Sequence, residues 1–351
     1  MINTEVDNHK LMYHPERVAE WHKNEDCFPI YVEIGATNRC NHRCMFCALD
    51  WLEKGGVNID TDVLSRNLED MALHGVKSIM YAGEGEPLLH KDIGLFVKKT
   101  KELGIDVSMT SNGIPFIKEK AEELLPYFSW LRFSVDAGTA KTYSELHGTN
   151  EKDFERIMKN IGDATEIKRK NNYQATIGVQ ALLTNKSLNE LVNLAKTIKE
   201  LGADNIQIKP YSHHPASRND LRFNYFDAEN IRPELIALSD DKFQVIYRTQ
   251  TINRLCGERD YKECHGLPFF TLIDAHANVL PCNLFYNNPE FTYGNLNEKK
   301  FSEIWKSEKR QEVINKITEK GIEDCRLGCR LDVINRYLGR LKDPHPHDNF
   351  I

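Results

Sequence analysis

Apolar positions along this chain alternate between two spacings, and the alternation predicts repeated strand–helix units. Residues 31–36 (Tyr-Val-Glu-Ile-Gly-Ala) form an apolar, β-branched run that predicts a strand. Residues 60–73 place Val63, Leu64, Leu68, Met71 and Ala72 on one helical face, with Thr61 or Asp60 to cap and Gly75 just past the end. Strands are predicted at 77–82, 106–110, 130–135, 174–183 and 205–209, with helices at 92–103, 118–125, 153–169 and 189–201 between them. Gly104 and Gly202 close two of these helices.

Six such units in succession predict an α/β fold with a parallel sheet and right-handed crossovers. Six strands are too few to close an eight-stranded barrel, so the expected architecture is an open, partial (β/α)6 TIM-like barrel. In barrels of this kind chemistry gathers at the C-terminal ends of the strands. Residues 1–30 are expected to be an N-terminal extension, with a short helix near His14–Trp21 that starts on Pro15. The partial barrel is expected over 31–220. A charged stretch interrupted by Pro233 and a strand at 243–248 would bridge out of it over 221–250. A small domain would follow over 251–351, with a hairpin at 269–274 and 279–282, a helix around Ile304-Trp305 and an amphipathic tail helix at 331–341.

Composition narrows the function classes. The chain has 351 residues, 28% of them charged, with a net charge of −6, so nothing favours nonspecific nucleic-acid binding. No apolar run approaches a membrane span. Residues 1–10 are polar and acidic, unlike a signal peptide. Nine cysteines on such a chain predict a reducing, cytoplasmic location in which thiols bind metal.

Three thiols lie within eight residues: Cys40, Cys44 and Cys47, spaced C-x3-C-x2-C directly after the first predicted strand. Fe–S clusters normally take four cysteines. A shortfall of one leaves an iron open to a small molecule, as in open catalytic metal sites. A zinc knuckle is the bland alternative, but it pairs two C-x2-C hairpins and no fourth cysteine is near. With Phe46 just before the last thiol, the loop resembles the radical S-adenosylmethionine (SAM) signature. The resemblance implies a [4Fe–4S] cluster whose open iron chelates SAM, and reductive cleavage of SAM to a 5′-deoxyadenosyl radical that abstracts hydrogen from a substrate. It also implies the partial barrel fold and an external one-electron donor such as flavodoxin or ferredoxin.

The resemblance then gives roles to the strand ends. Gly83-Glu84-Gly85-Glu86-Pro87 resembles the family's GGE motif, which holds the SAM amino group, with Glu84 standing where the motif's first glycine would be. Ser111-Asn112 after the third strand and Ser134 and Asp136 after the fourth resemble the family's ribose and methionyl contacts. Phe46 is expected against the adenine. Val179, Gln180 and Leu182 resemble a further loosely defined motif, from which nothing is carried. After the sixth strand, Lys209, Tyr211 and His213 offer acid/base groups at the barrel mouth, as candidate catalytic residues. Arg218 and Arg222 stand nearby.

Five cysteines lie beyond the barrel. Cys264, Cys282, Cys325 and Cys329, with the Gly294-Asn295-Leu296…Ile304-Trp305 stretch, resemble the SPASM/twitch extension of radical SAM enzymes. Ala277 stands at that pattern's glycine, and a later C-x2-C element is missing. Four thiols fill one cluster and not two, so a second, auxiliary [4Fe–4S] cluster is expected on them. A structural zinc site on the same four thiols is the alternative. Cys256 and Cys27 are left over. Both read as buried free thiols, and Cys256 alternatively as a thiol that fills an open ligand position or donates hydrogen to a substrate radical.

Together these readings predict an enzyme, a radical SAM oxidoreductase acting on a small molecule. By analogy, the substrate would be a sugar-like or aminocyclitol alcohol, with the auxiliary cluster as electron acceptor. The alternatives are a peptide-modifying enzyme forming a thioether or crosslink, an epimerase, and a noncatalytic iron–sulfur or zinc protein. Only 39 residues precede Cys40, which counts against a leader-peptide-binding domain there.

Overall fold

The computed structural model describes residues 9–25 and 27–350. Most of the polar stretch at residues 1–10 therefore lies outside the described residues. The predicted strands are present as β1 (Tyr31–Ile34), β2 (Ser78–Tyr81), β3 (Asp106–Ser111), β4 (Phe128–Ser134), β5 (Thr176–Leu182) and β6 (Asn205–Lys209). They pair in sequence order, all parallel. The helices between them run over Thr61–Leu73, Ile93–Glu102, Lys118–Leu124, Lys152–Asn171 and Leu191–Glu200. Asp60 caps the first, accepting from the N–H groups of Asp62 and Val63.

The sheet does not stop at six strands. β7 (Gln244–Tyr247) lies parallel to β6, so the segment expected to bridge out of the barrel instead extends it. Val245 and Tyr247 are buried on this strand. β8 (Phe270–Ile273) pairs parallel to the free edge of β1, and β9 (Asn278–Leu280) and β10 (Gly294–Asn295) follow it antiparallel. The order is therefore β10-β9-β8-β1-β2-β3-β4-β5-β6-β7. Eight parallel strands follow the sequence order of a closed barrel, with no ladder between β7 and β8 among the described residues. The result is a partial, TIM-like barrel whose C-terminal hairpin is hydrogen-bonded into the same sheet.

Four helices were not anticipated: Ala140–His147, Arg232–Ile236, Thr249–Cys256 and Glu308–Lys320. Ala140–His147 starts on the Thr139 hydroxyl and ends at left-handed Gly148. Glu308–Lys320 follows the short helix Phe301–Trp305. The tail helix spans Asp332–Lys342.

Strand side chains alternate between two environments. Val32, Ile34, Ile79, Tyr81, Val107, Met109, Leu131, Phe133, Ile177, Val179, Ile206 and Ile208 are buried in the main apolar core under the helices. Their neighbours point to the other face, into the lumen: Glu33 on β1, Ser108 and Thr110 on β3, Arg132 and Ser134 on β4, Gln180 on β5, Gln207 and Lys209 on β6. The barrel thus has an oily exterior face and a polar, charged interior. No helix among the described residues is long and apolar enough to cross a membrane.

Candidate active site and cluster centres

The cysteine loop leaves β1 and is held by backbone contacts from three sides. Gly85 and Glu86 press against it from below: the Glu86 N–H donates to Arg39 O at 2.7 Å. A Cβ on Gly85 would sit 2.4 Å from both Thr37 O and Arg39 O, so only glycine lets the two turns approach. From the side, Arg43 and Met45 donate their N–H groups to His147 and Leu146 carbonyls at 3.0 and 2.9 Å. Gly148 permits that contact, because a Cβ there would lie 2.2 Å from Arg43 O. From above, Asn219 Nδ2 donates to Cys47 O at 3.3 Å, and Ser217 and Arg218 donate to Asp50.

The expected SAM-contact residues assemble around this loop. Glu86 accepts from Ser111 Oγ at 2.8 Å and Leu88 N–H at 3.1 Å on one oxygen, and from Asn112 N–H at 2.7 Å on the other. Asn112 in turn donates to Asn41 Oδ1 at 2.7 Å. The Glu86 carboxylate thereby fastens β2, β3 and the cysteine loop together. Burial pushes the carboxyl up to about 7 despite these donors. Glu84 turns the other way: its Oε1 accepts from Ala275 N–H at 2.6 Å, and burial lifts it to about 7 as well. The departure from the glycine motif therefore binds the turn to the end of β8. Asp136 is buried and accepts from Leu182 N–H at 2.6 Å. Ser134 sits opposite Gln180 in the β4–β5 register.

His147 was not among the predicted site residues. It is buried, with Nδ1 3.6 Å from Cys44 Sγ and Nε2 3.3 Å from both the Asp136 N–H and carboxylate. Phe46 packs edge-on against it, ring centres 5.2 Å apart. His42 lies beside both, so His42, Cys44 and His147 bring ligand atoms within 4.8 Å of one another. Burial and the neighbouring His147 push His42 down to about 4, leaving it neutral. The signals for His147 were its helix-start threonine and helix-end glycine.

Burial raises the Cys44 thiol first, and Cys40, Asp136 and Cys47 raise it further. Three thiols that feel one another in this way are poorly placed as bare thiolates and well placed around metal, whose charge reverses the effect. The donor set fits a cluster short of one protein ligand.

The second thiol set comes together from distant parts of the chain. Cys282 is raised by burial and by Cys329, Cys264 and Cys325, all four being electrostatic neighbours. Burial pushes Cys264 up to about 12, and Asn335 Nδ2 donates to its sulfur at 3.5 Å. Leu331 N–H donates to Cys329 Sγ at 3.4 Å. Arg259 donates to the carbonyls of Ile322, Cys325 and Arg326 and so holds the turn that carries the last two thiols. Four thiols with N–H donors aimed at sulfur fit a fully ligated cluster. Cys256 is exposed and near Tyr225 rather than among them, and Cys27 is buried.

Lys209, Tyr211 and His213 part company. Tyr211 is buried and donates to Asn219 Oδ1 at 3.0 Å, and exposed His213 contacts Asn219 O at 3.0 Å, so both secure the loop. Lys209 faces the lumen, where burial pulls it down to about 7, helped by Arg132 and Arg248 and opposed by Asp136. Arg218 and Arg222 are exposed. The auxiliary region reaches back over this mouth. Arg326 donates to Ser212 O at 2.5 Å, and Arg330 pairs with Glu33 at 2.6 Å and donates to Tyr31 Oη at 2.7 Å.

Comparison with known proteins decides what these two centres are. Residues 34–198 match the radical SAM superfamily, and residues 264–330 match SPASM, the iron–sulfur cluster-binding domain. The chain belongs to the radical SAM superfamily. It is an enzyme with a C-terminal SPASM domain, and its cofactors are SAM and a [4Fe–4S] cluster together with auxiliary iron–sulfur. Among curated relatives, the tungsten-containing aldehyde ferredoxin oxidoreductase cofactor-modifying protein of Pyrococcus furiosus is 25% identical over 302 residues, 80% of this chain and 81% of that one. A probable GTP 3′,8-cyclase of Saccharolobus solfataricus is 26% identical over 205 residues, 56% of this chain and 61% of its own length, so that match takes in less than two thirds of the cyclase. The structure of Streptococcus suis SuiB bound to precursor peptide SuiA superposes with a TM-score of 0.68 at 19% identity, covering 87% of this chain and 71% of SuiB, which is a likeness of fold.

Proposed function

We propose that this chain is a radical SAM oxidoreductase that removes hydrogen from an alcohol carbon of a small polar molecule held in the barrel lumen. The observation that carries the reading is Lys209, an amine pulled down to about 7 in a lumen that the SPASM region closes over. In this reading residues 31–220 are the catalytic core and 251–351 the auxiliary domain, working in the reducing cytoplasm with an external one-electron donor. Cys40, Cys44 and Cys47 hold the SAM cluster, and Cys264, Cys282, Cys325 and Cys329 hold the auxiliary one. When bound, the first cluster and SAM would supply the chemistry that removes the carbon's hydrogen atom, and the second cluster would supply an acceptor for the one electron left over. Lys209 Nζ takes the hydroxyl proton, completing a two-electron oxidation to a carbonyl. Asp136 holds the end of β5 through Leu182 and keeps Lys209 within reach of a carboxylate. Glu86 keeps the cysteine loop in register with β2 and β3. The backbone edge at Gly85, with Phe46, Ser111, Asn112, Ser134 and Asp136 around it, lines the SAM position.

A small substrate is favoured over a peptide because Arg326 and Arg330 tie the auxiliary region down across the mouth. The relative named for cofactor modification, which covers most of the chain, points the same way. The test is anaerobic turnover with SAM, a one-electron reductant and a panel of polyols and aminocyclitols. One carbonyl product per 5′-deoxyadenosine is expected, with none from Cys282→Ala. Product that survives loss of the auxiliary cluster, or a crosslink formed only on a peptide, would sink the reading.

A further inference from the structure

The lumen holds more positive charge than the reaction above uses. Arg132, on β4, stacks its guanidinium 4.6 Å from the centre of the Trp130 ring. Lys209, on β6, lies within electrostatic reach of Arg132, Arg248 and Arg330, and Arg132 is in turn within reach of Arg248 and Arg330. These four cations come from β4, β6, the end of β7 and the SPASM region, so the fold gathers them at one place. The carboxylates nearby are committed: Glu33 to Arg330 at 2.6 Å, and Asp136 to the Leu182 N–H at 2.6 Å. Among the described residues no carboxylate lies at ion-pair distance from Arg132 or Lys209. Burial, reinforced by the neighbouring cations, pulls Arg132 down to about 10. A half-buried guanidinium with no carboxylate at ion-pair distance is a standing cost to the fold that an oxyanion would remove. A guanidinium over an indole ring can still offer its N–H fork to an oxyanion, and that fork suits a phosphate or carboxylate.

We propose that Arg132, with Arg248 and Arg330 beside it, forms the subsite for a phosphate group carried by the substrate, next to the Lys209 amine that takes the hydroxyl proton. The phosphate supplies the counter-charge that Arg132 lacks and fixes the reacting carbon relative to the lumen wall. This deepens the reading of the lumen as the substrate chamber and rests on it. Arg132 is then a specificity-determining residue.

The test uses inorganic phosphate as probe, titrated calorimetrically into the anaerobic, cluster-loaded protein saturated with SAM. Phosphate should bind wild type at least tenfold more tightly than acetate does. Arg132→Gln should weaken phosphate binding by tenfold or more while iron content stays at the wild-type level, and Arg132→Lys should recover part of the loss. SAM affinity is measured on the same variants. No phosphate binding to wild type, equal binding of acetate, or phosphate binding that survives Arg132→Gln would overturn the proposal. So would a fall in SAM affinity as large as the fall in phosphate affinity, because the cations would then serve the SAM carboxylate. Failure of the radical oxidoreductase reading registers separately, as absence of 5′-deoxyadenosine or carbonyl product from wild type under reducing conditions.

Discussion

The two thiol sets, taken as cluster ligands, are assembled by opposite routes. Cys40, Cys44 and Cys47 come from eight consecutive residues, and the loop that carries them is held mainly by backbone groups: Arg39 O, Arg43 N–H, Met45 N–H and Cys47 O. Cys264, Cys282, Cys325 and Cys329 are drawn from widely separated segments and held by side chains, chiefly Arg259 and Asn335. A local loop braced on a parallel sheet is preformed, because the strands that brace it are the core of the fold. A nonlocal set has no such support and depends on its metal to close the segments. The first centre should thus be separable from stability, and the second should not.

Single cysteine substitutions give the largest expected difference. Cys44→Ala should abolish 5′-deoxyadenosine formation and leave the thermal midpoint close to wild type. Cys282→Ala should lose the auxiliary irons and destabilise the C-terminal region by about 4 kcal/mol or more, as loss of a structural metal does. Iron analysis and calorimetry on the two variants decide it. Equal destabilisation by both would erase the distinction between a preformed and a metal-closed site.

Gly85→Ala tests the bracing without touching a thiol. The new Cβ would meet two backbone carbonyl oxygens at 2.4 Å, so the GEGE turn and the cysteine loop must separate. Such overpacking costs about 1–3 kcal/mol. The expected result is reduced loading of the SAM cluster, read as iron per chain, with the auxiliary irons retained. Loading of both clusters at wild-type levels would show that the loop does not need this contact.

The same contrast explains what was legible in the sequence. The positions of the cysteine loop, the GEGE turn and the strand-end residues Ser111, Asn112, Ser134 and Asp136 were readable because each sits at a fixed offset from its own strand. Arg132 was readable in principle, since Trp130, Arg132 and Ser134 alternate with Leu131 and Phe133 on β4, but a lone cation inside a strand belongs to no motif. His147 was not readable as a neighbour of Cys44, because its distance to the loop depends on how a short helix docks. Nor were Arg259 and Asn335, which act across 63 or more residues. β7 was mistaken for a bridge because only the short helix Arg232–Ile236 and a turn at Tyr225–Ala228 lie between it and β6. A βαβ unit ordinarily carries a longer crossover helix.

Between the two centres, the lumen charges predict a pH signature. Lys209 titrates near 7 when folded against 10.5 ordinarily. Between those values the unfolded chain holds a proton that the folded chain has released, so stability rises with pH across that window and is flat below it on this account. Glu84 and Glu86, raised from 4.5 to about 7, act oppositely: the folded chain holds protons that the unfolded chain has lost, and stability falls from pH 4.5 to 7. Lys209→Met should therefore be more stable than wild type at pH 7 by roughly 1–3 kcal/mol, and the gap should close towards pH 10. Denaturant titrations at several pH values measure it. A gap that is independent of pH would mean that Lys209 is not desolvated, and its role as proton acceptor would lose its physical basis.

The smallest expected effect falls on the auxiliary side. Ala277 stands where the SPASM-like pattern has glycine, and it adopts φ of 66°, in the turn between β8 and β9. Left-handed backbone costs a nonglycine residue about 1–2 kcal/mol. Ala277→Gly would relieve that, but it also removes a methyl that is 1% exposed, worth about 0.8 kcal/mol. It adds unfolded-state freedom worth about 0.4–1 kcal/mol. The three terms nearly cancel, so the variant should lie within about 0.5 kcal/mol of wild type by thermal unfolding, with its auxiliary irons intact. The turn is also held independently of its side chain, since Ala277 donates to Asp274 O at 2.9 Å and accepts from Leu296 N–H at 2.9 Å. A loss above about 1 kcal/mol would mean that the methyl packs the hairpin against the sheet. The alanine would then be a working part of the second centre, whose stability would depend on apolar packing as well as on metal.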